Sequence, residues 1–161
     1  MRVLGVDPGT LRLGVALLEE TGSRLEAVSF ETVKISKELP LPARLKQVYE
    51  AIQERIEKYS PEIVAIENVF FGKDVRALVK MGEARACAIL AAEQKGIPVV
   101  EYPPARVKQA VSGNGRASKI QVQNMMQRIL HLKTLPGEDA ADALAVALCC
   151  VQSNHVRIPV G

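Results

Sequence analysis

Cysteine is scarce and poorly spaced for chemistry. Cys87, Cys149 and Cys150 make an odd number, two of them adjacent, with no Cys-x-x-Cys pair, which excludes both a disulfide framework and a zinc ribbon. They read as small core residues. His155 stands alone near the C-terminus, without the clustered ligands that a metal centre of that type requires. Long apolar runs are missing as well. The longest, 140–151, is interrupted by Asp142, so nothing approaches the ~18 residues that a membrane-crossing helix needs. At the N-terminus, residues 1–7 place a carboxylate where a secretory signal requires apolar residues, so the expectation is a cytoplasmic chain without a signal peptide. Repeats and low-complexity tracts are absent, and the Pro-bearing breaks at 40–42, 103–104 and 136–137 are too short to link domains.

Acid is missing from one stretch. Residues 102–135 contain no Asp or Glu, yet Arg106, Lys108, Arg116, Lys119, Arg128 and Lys133 all fall there. Residues 1–101 carry 14 basic and 15 acidic side chains, and residues 136–161 carry one and three. The segment therefore supplies the whole positive excess behind a net charge of +3. It is either a solvated helix face or a surface for phosphate.

What is present has the composition of one globular domain, 161 residues with 48% apolar and 24% charged. A chain of this size buries roughly 70% of its unfolded surface, enough for a core without staples. Residues 2–7 and 62–67 are apolar on both faces, as central strands covered on both sides must be. Residues 13–19 and 24–35, joined by short Gly-containing turns, predict an antiparallel meander. Leu45, Val48, Tyr49, Ile52, Ile56 and Tyr59 share one helical face, ended by Pro61. A second helix over about 73–95 stops at Gly96, and 97–101 reads as a strand. Ser118 and Gln121 form a capping box ahead of a helix whose buried face is Val122, Met125, Met126, Ile129 and Leu130. Residues 139–151 make a last helix so apolar that it must be covered nearly all round. This order predicts an α/β fold, a mixed five-stranded sheet flanked by helices, with the first and fourth strands as central neighbours.

Asp7 and Glu67 close the two most buried strands. If those strands are parallel neighbours, both carboxylates emerge at the sheet edge where open α/β folds place their sites. Asp139 and Asp142 stand at i and i+3 on the first turn of the last helix, hence on one face. Two of the four have simpler uses: Asp139 suits the helix dipole, and Asp7-Pro8-Gly9 suits a type II turn. Asp142 is different. Flanked by Ala140, Ala141, Ala143 and Ala145, it sits on a surface that packs closely, and a buried charge needs a partner. No Lys or Arg flanks any of the four in sequence. Oxygen ligands of this kind suit Mg²⁺ or Mn²⁺, and two such ions about 3.5–4 Å apart can cut a phosphodiester. The charges agree: the acids need cations, and the basic segment needs a polyanion.

Five blocks carry a further likeness: Asp7-Pro8-Gly9-Thr10, Ile66-Glu67-Asn68-Val69-Phe70, Gly82-Glu83-Ala84-Arg85, Val107-Lys108-Gln109, and the run from Asp139 through Asp142 to Ala145. In order and spacing, over nearly the whole chain, they resemble the RuvC-type Holliday junction resolvases. The resemblance implies a ribonuclease H-like domain spanning 1–161, with about 153–161 as a short tail. It implies a bacterial, Mg²⁺-dependent crossover junction endodeoxyribonuclease, with two ions and Mn²⁺ able to substitute. Such an enzyme is a homodimer that binds a four-way DNA junction and nicks strands of like polarity, leaving 5′-phosphates, in recombination and repair alongside a branch-migration helicase. Carried onto this chain, the catalytic and metal-binding acids are Asp7, Glu67, Asp139 and Asp142, the third being His in some relatives. Lys108 and Lys119 fall on DNA-contacting positions, and Phe70 on the aromatic that unstacks bases at the crossover. Phe71 and Gly72 beside it suit a wedge in a loop.

The residues themselves add Arg116 and Ser118. Gly113-Asn114-Gly115-Arg116 leads into the Ser118 cap, which reads either as backbone N–H groups and a helix N-terminus for phosphate or as a plain turn. For the dimer, the second helix offers Gly82, Ala84, Ala86, Ala88, Ala91 and Ala92 with Leu78, Val79, Ile89 and Leu90. Ordinary helix-on-sheet packing also favours such residues. Three other functions compete. Asp-x-Gly-Thr after a first strand also serves as the phosphate loop of actin-like and sugar-kinase ATP-binding modules, which need two such domains. The others are a ribosomal-RNA-processing nuclease of the same fold and a silent junction-binding scaffold. The intact acids argue against silence, and the match beyond the catalytic blocks favours DNA junctions over RNA.

Overall fold

Strands form where apolar residues run without helical spacing. A computed structural model describes residues 1–68 and 74–155. It contains β1 (Arg2–Asp7), β2 (Arg12–Thr21), β3 (Arg24–Lys34), α1 (Leu41–Tyr59), β4 (Ile63–Glu67), α2 (Val75–Glu93), β5 (Val99–Tyr102), α3 (Pro104–Ser112), α4 (Lys119–Ile129) and α5 (Glu138–His155). The sheet order is β3-β2-β1-β4-β5. β1 pairs antiparallel with β2 and parallel with β4, so the first and fourth strands are central neighbours as expected. β2 and β3 form the meander.

Alternation along each strand divides the core between two faces. Leu4, Val6, Val15, Leu17, Val64 and Ile66 face α1 and α2, meeting Val48, Ile52, Ala84, Ala88, Ala91 and Ala92. On the other face Val3, Ala16, Leu18 and Ala65 meet α5, which is roofed by α3 and α4. From Ala140 to Val151 only Asp142 is not fully buried, which is the all-round cover its composition demands.

The capping box forms: Ser118 Oγ accepts from the Gln121 N–H at 3.3 Å while Gln121 Oε1 accepts from the Ser118 N–H at 2.8 Å. At the start of α2, Asp74 caps the helix by accepting from the N–H groups of Arg76 and Ala77.

Three expectations change. The break at Pro103-Pro104 is a helix start: Pro104 occupies the first turn of α3, Val107 and Val111 at i and i+4 are its buried pair, and Gly113 closes it at φ 70°. The last helix runs on to His155, into the stretch read as a tail, because its final turn lies beside Arg106 and Gln109 of α3. Finally, Ala84, Ala88, Ala91 and Ala92 face the core and serve helix-on-sheet packing. The outward side of α2 presents Val75, Val79, Ala86 and Leu90 instead.

Candidate active site

Asp7 and Glu67 stand one residue beyond the parallel pair Val6 and Ile66. By alternation they share the α5 face with Gly5 and Ala65. Two glycines let α5 come down onto that face. A Cβ on Gly5 would lie 2.0 Å from the Ala143 carbonyl oxygen and 2.9 Å from Ala147 Cβ. A Cβ on Gly14, which pairs with Asp7, would lie 2.0 Å from the Asp139 carbonyl oxygen and 3.1 Å from Asp7 Cβ. Missing bulk at these two positions therefore delivers the first turn of α5, with Asp139 and Asp142, to the ends of β1 and β4.

The four carboxylates line one open cleft of about 420 Å³ with Arg12, Lys108 and Lys119. Lys108 arrives on α3, and Lys119 is the first residue of α4, held in place by the Ser118 cap. Burial, and then Asp142, Glu67 and Asp139, push the Asp7 carboxyl well above the usual range, with Lys119 opposing. Glu67 is pushed up to about 7 by burial and by Asp142, against the pull of Lys108 and Lys119. Asp142 is raised by burial, Asp139 and Glu138, again against the two lysines. Burial would lower the Lys119 ammonium, but Asp142, Glu138 and Asp7 outweigh it and raise it. The cleft is thus short of positive charge. A divalent cation fits the four carboxylates of this cleft, whose described lining holds neither thiolate nor imidazole. Among the described residues, no three His, Cys, Asp or Glu side chains already converge on one ion-sized point.

Sequence reasoning missed Arg12. Its Nε donates to Asp139 Oδ2 at 2.7 Å, so one of the four acids has a cation partner from a residue 127 positions away. The usable signal was Gly14, two residues on and on the same face of β2, where α5 makes its close approach. The type II turn also gives way. Gly9 is not among the glycines with positive φ; it is needed because a Cβ there would lie 2.2 Å from the Arg12 carbonyl oxygen.

Most N–H groups of the loop before Ser118 are spent internally. Gly113 donates to the Gln109 carbonyl, Asn114 to Ser112 Oγ, Arg116 to Asn114 Oδ1, Ala117 to the Asn114 carbonyl and Ser118 to Gln121. Those bonds build a turn that leads into the Ser118 cap. Arg116 remains exposed, outside the carboxylate cleft. Phe70 lies outside the described residues.

Acids gathered at the carboxyl edge of a sheet with this strand order, and cations opposite them, define a nuclease of the ribonuclease H-like class. Residues 3–150 match the family described as crossover junction endodeoxyribonuclease RuvC. The chain belongs to that family, and it is accordingly an endodeoxyribonuclease. The protein of that name from Trichlorobacter lovleyi is 44% identical over 161 residues, covering 100% of this chain and 90% of the relative. That from Thermotoga petrophila is 44% identical, covering 100% and 99%. The solved structure of T. thermophilus RuvC in complex with Holliday junction substrate superimposes with a TM-score of 0.89 at 35% identity, over 96% of this chain and 94% of that one. Membership carries a general dependence on divalent metal.

Proposed function

We propose that this chain resolves four-way DNA junctions by paired nicks in strands of like polarity, leaving 5′-phosphates, as a cytoplasmic homodimer that works with a branch-migration helicase. The observation that carries the reading is the cleft itself: four acids, three of them held above their ordinary ionisation range, faced by Lys108 and Lys119. Asp7, Glu67, Asp139 and Asp142 would hold two Mg²⁺ ions, with Mn²⁺ as a substitute. The chemistry supplied by ions held there is activation of water and stabilisation of the leaving oxygen. Lys108 and Lys119 reach the same space from the roof and hold the scissile phosphate against the acids. Ser118 acts by capping the helix that begins with Lys119, Arg116 extends the phosphate contacts outward, and Phe70 is the wedge at the crossover. A junction has two symmetry-related strands to cut, which a C₂ dimer matches. The outward stripe of α2 is its candidate surface.

Labelled four-way junction, linear duplex and structured RNA, each with and without Mg²⁺, test the reading. Asp7→Asn, Glu67→Gln and Asp142→Asn should abolish junction cleavage yet still bind the junction. Lys108→Ala and Lys119→Ala should each lower the salt slope of binding by about one. Preference for the RNA, or wild-type cutting by any acid variant, would overturn the assignment.

A further inference from the structure

We propose that Arg12 is a built-in counter-ion of the carboxylate cluster, one that occupies Asp139 in the metal-free protein and must be displaced before a divalent cation can use that oxygen. The inference rests on the metal-binding reading of the cleft and adds a regulator to it. Three features place Arg12 in this role. Its backbone is clamped: its carbonyl is pressed against Gly9, it pairs with Lys34, and the neighbouring Leu11 carbonyl accepts from the Ile35 N–H at 2.9 Å. Its side chain is open to solvent, 60% exposed against 18% for Asp139, and donates to the acid through one nitrogen. Its acid is shared, because Asp139 lines the same cleft as Asp7, Glu67 and Asp142.

An exposed, singly bonded ion pair is weak and readily screened. A doubly charged ion that draws on several oxygens at once can displace it. The pair is therefore a tax on metal binding rather than a bar to it. A purely structural Arg12, holding Asp139 in position for the ion, makes the opposite demand. Removing a prop loosens metal binding, and removing a competitor tightens it.

The test uses the full chain without DNA and reads the free Mn²⁺ signal by electron paramagnetic resonance during titration. Arg12→Met should bind Mn²⁺ about two- to fivefold more tightly than the wild type, the range expected for loss of an exposed ion pair. Arg12→Lys should stay near the wild type, and added NaCl should narrow the gap between wild type and Arg12→Met. Thermal unfolding of the same samples confirms that the variants fold. Equal or weaker binding by Arg12→Met, with normal uptake by the wild type, overturns the proposal alone. Absence of uptake by every protein overturns the metal-binding reading beneath it.

Discussion

Glu67 has its ionisation set near neutrality, at about 7 from an ordinary 4.5. Between those values the folded chain holds a proton that the unfolded chain has released. This contribution to stability is complete at low pH and is lost as pH rises through the folded value. Asp7 and Asp142, raised by the same burial and crowding, act in the same direction. The metal-free protein should therefore melt several degrees lower at about pH 8 than at about pH 5.5. Glu67→Gln should shrink that difference, and millimolar Mg²⁺ should raise the melting temperature mainly at the higher pH. A difference unaltered by Glu67→Gln would show that the glutamate titrates as it does in water. Asp7 and Glu67 were legible in the sequence because an apolar run ending in an acid marks both a buried strand and its edge. Arg12 was not, since its role depends on where α5 lands, and that depends on Gly14.

The same contrast holds among elements. Helices with a clear boundary signal and an uninterrupted apolar stripe, α1 stopped by Pro61 and α4 capped by Ser118, can be read directly. α3 could not, because nine residues offer only Val107 and Val111 as a buried pair and its prolines resemble a break. Yet α3 carries Lys108 into the cleft. The contact of α5 with β1 and β2 is set by absent atoms, which a propensity argument does not register. Adding one tests it. Gly14→Ala should cost about 3 kcal/mol in urea denaturation, since a methyl group would have to displace the backbone at Asp139. Surviving folded protein should cut junctions more than about tenfold more slowly, because a shift of roughly 1 Å at the acids spoils the geometry. A stable, fully active Gly14→Ala would mean that α5 does not approach β2 as described.

For the whole molecule, the proposed homodimer needs a surface that pairs with a second copy. On α2 the small residues divide into two sets. Ala88 is 0% exposed in the core, so Ala88→Arg should prevent folding without reporting on assembly. Val75, Val79 and Leu90 are 68%, 54% and 58% exposed, and Ala86 lies on the same outward side. Exposed apolar residues aligned along a helix signal a partner surface. Ala86→Arg should stay folded, run as a monomer in light scattering, and nick junctions singly instead of resolving them. If it remains dimeric, the interface lies elsewhere. Helical periodicity had marked α2 as unusually poor in bulk, but which side faced in depended on its packing against α1.

The enclosure of α5 also couples the chemistry to the lifetime of the fold. Asp139 and Asp142 begin the helix that both sheet and roof bury. The amide protons of residues 143–151, just beyond that first turn, are enclosed on every side, so they should be among the slowest in the molecule to exchange with deuterium. Heat inactivation should then follow global unfolding in a single step, without a folded but inactive intermediate lacking these two acids.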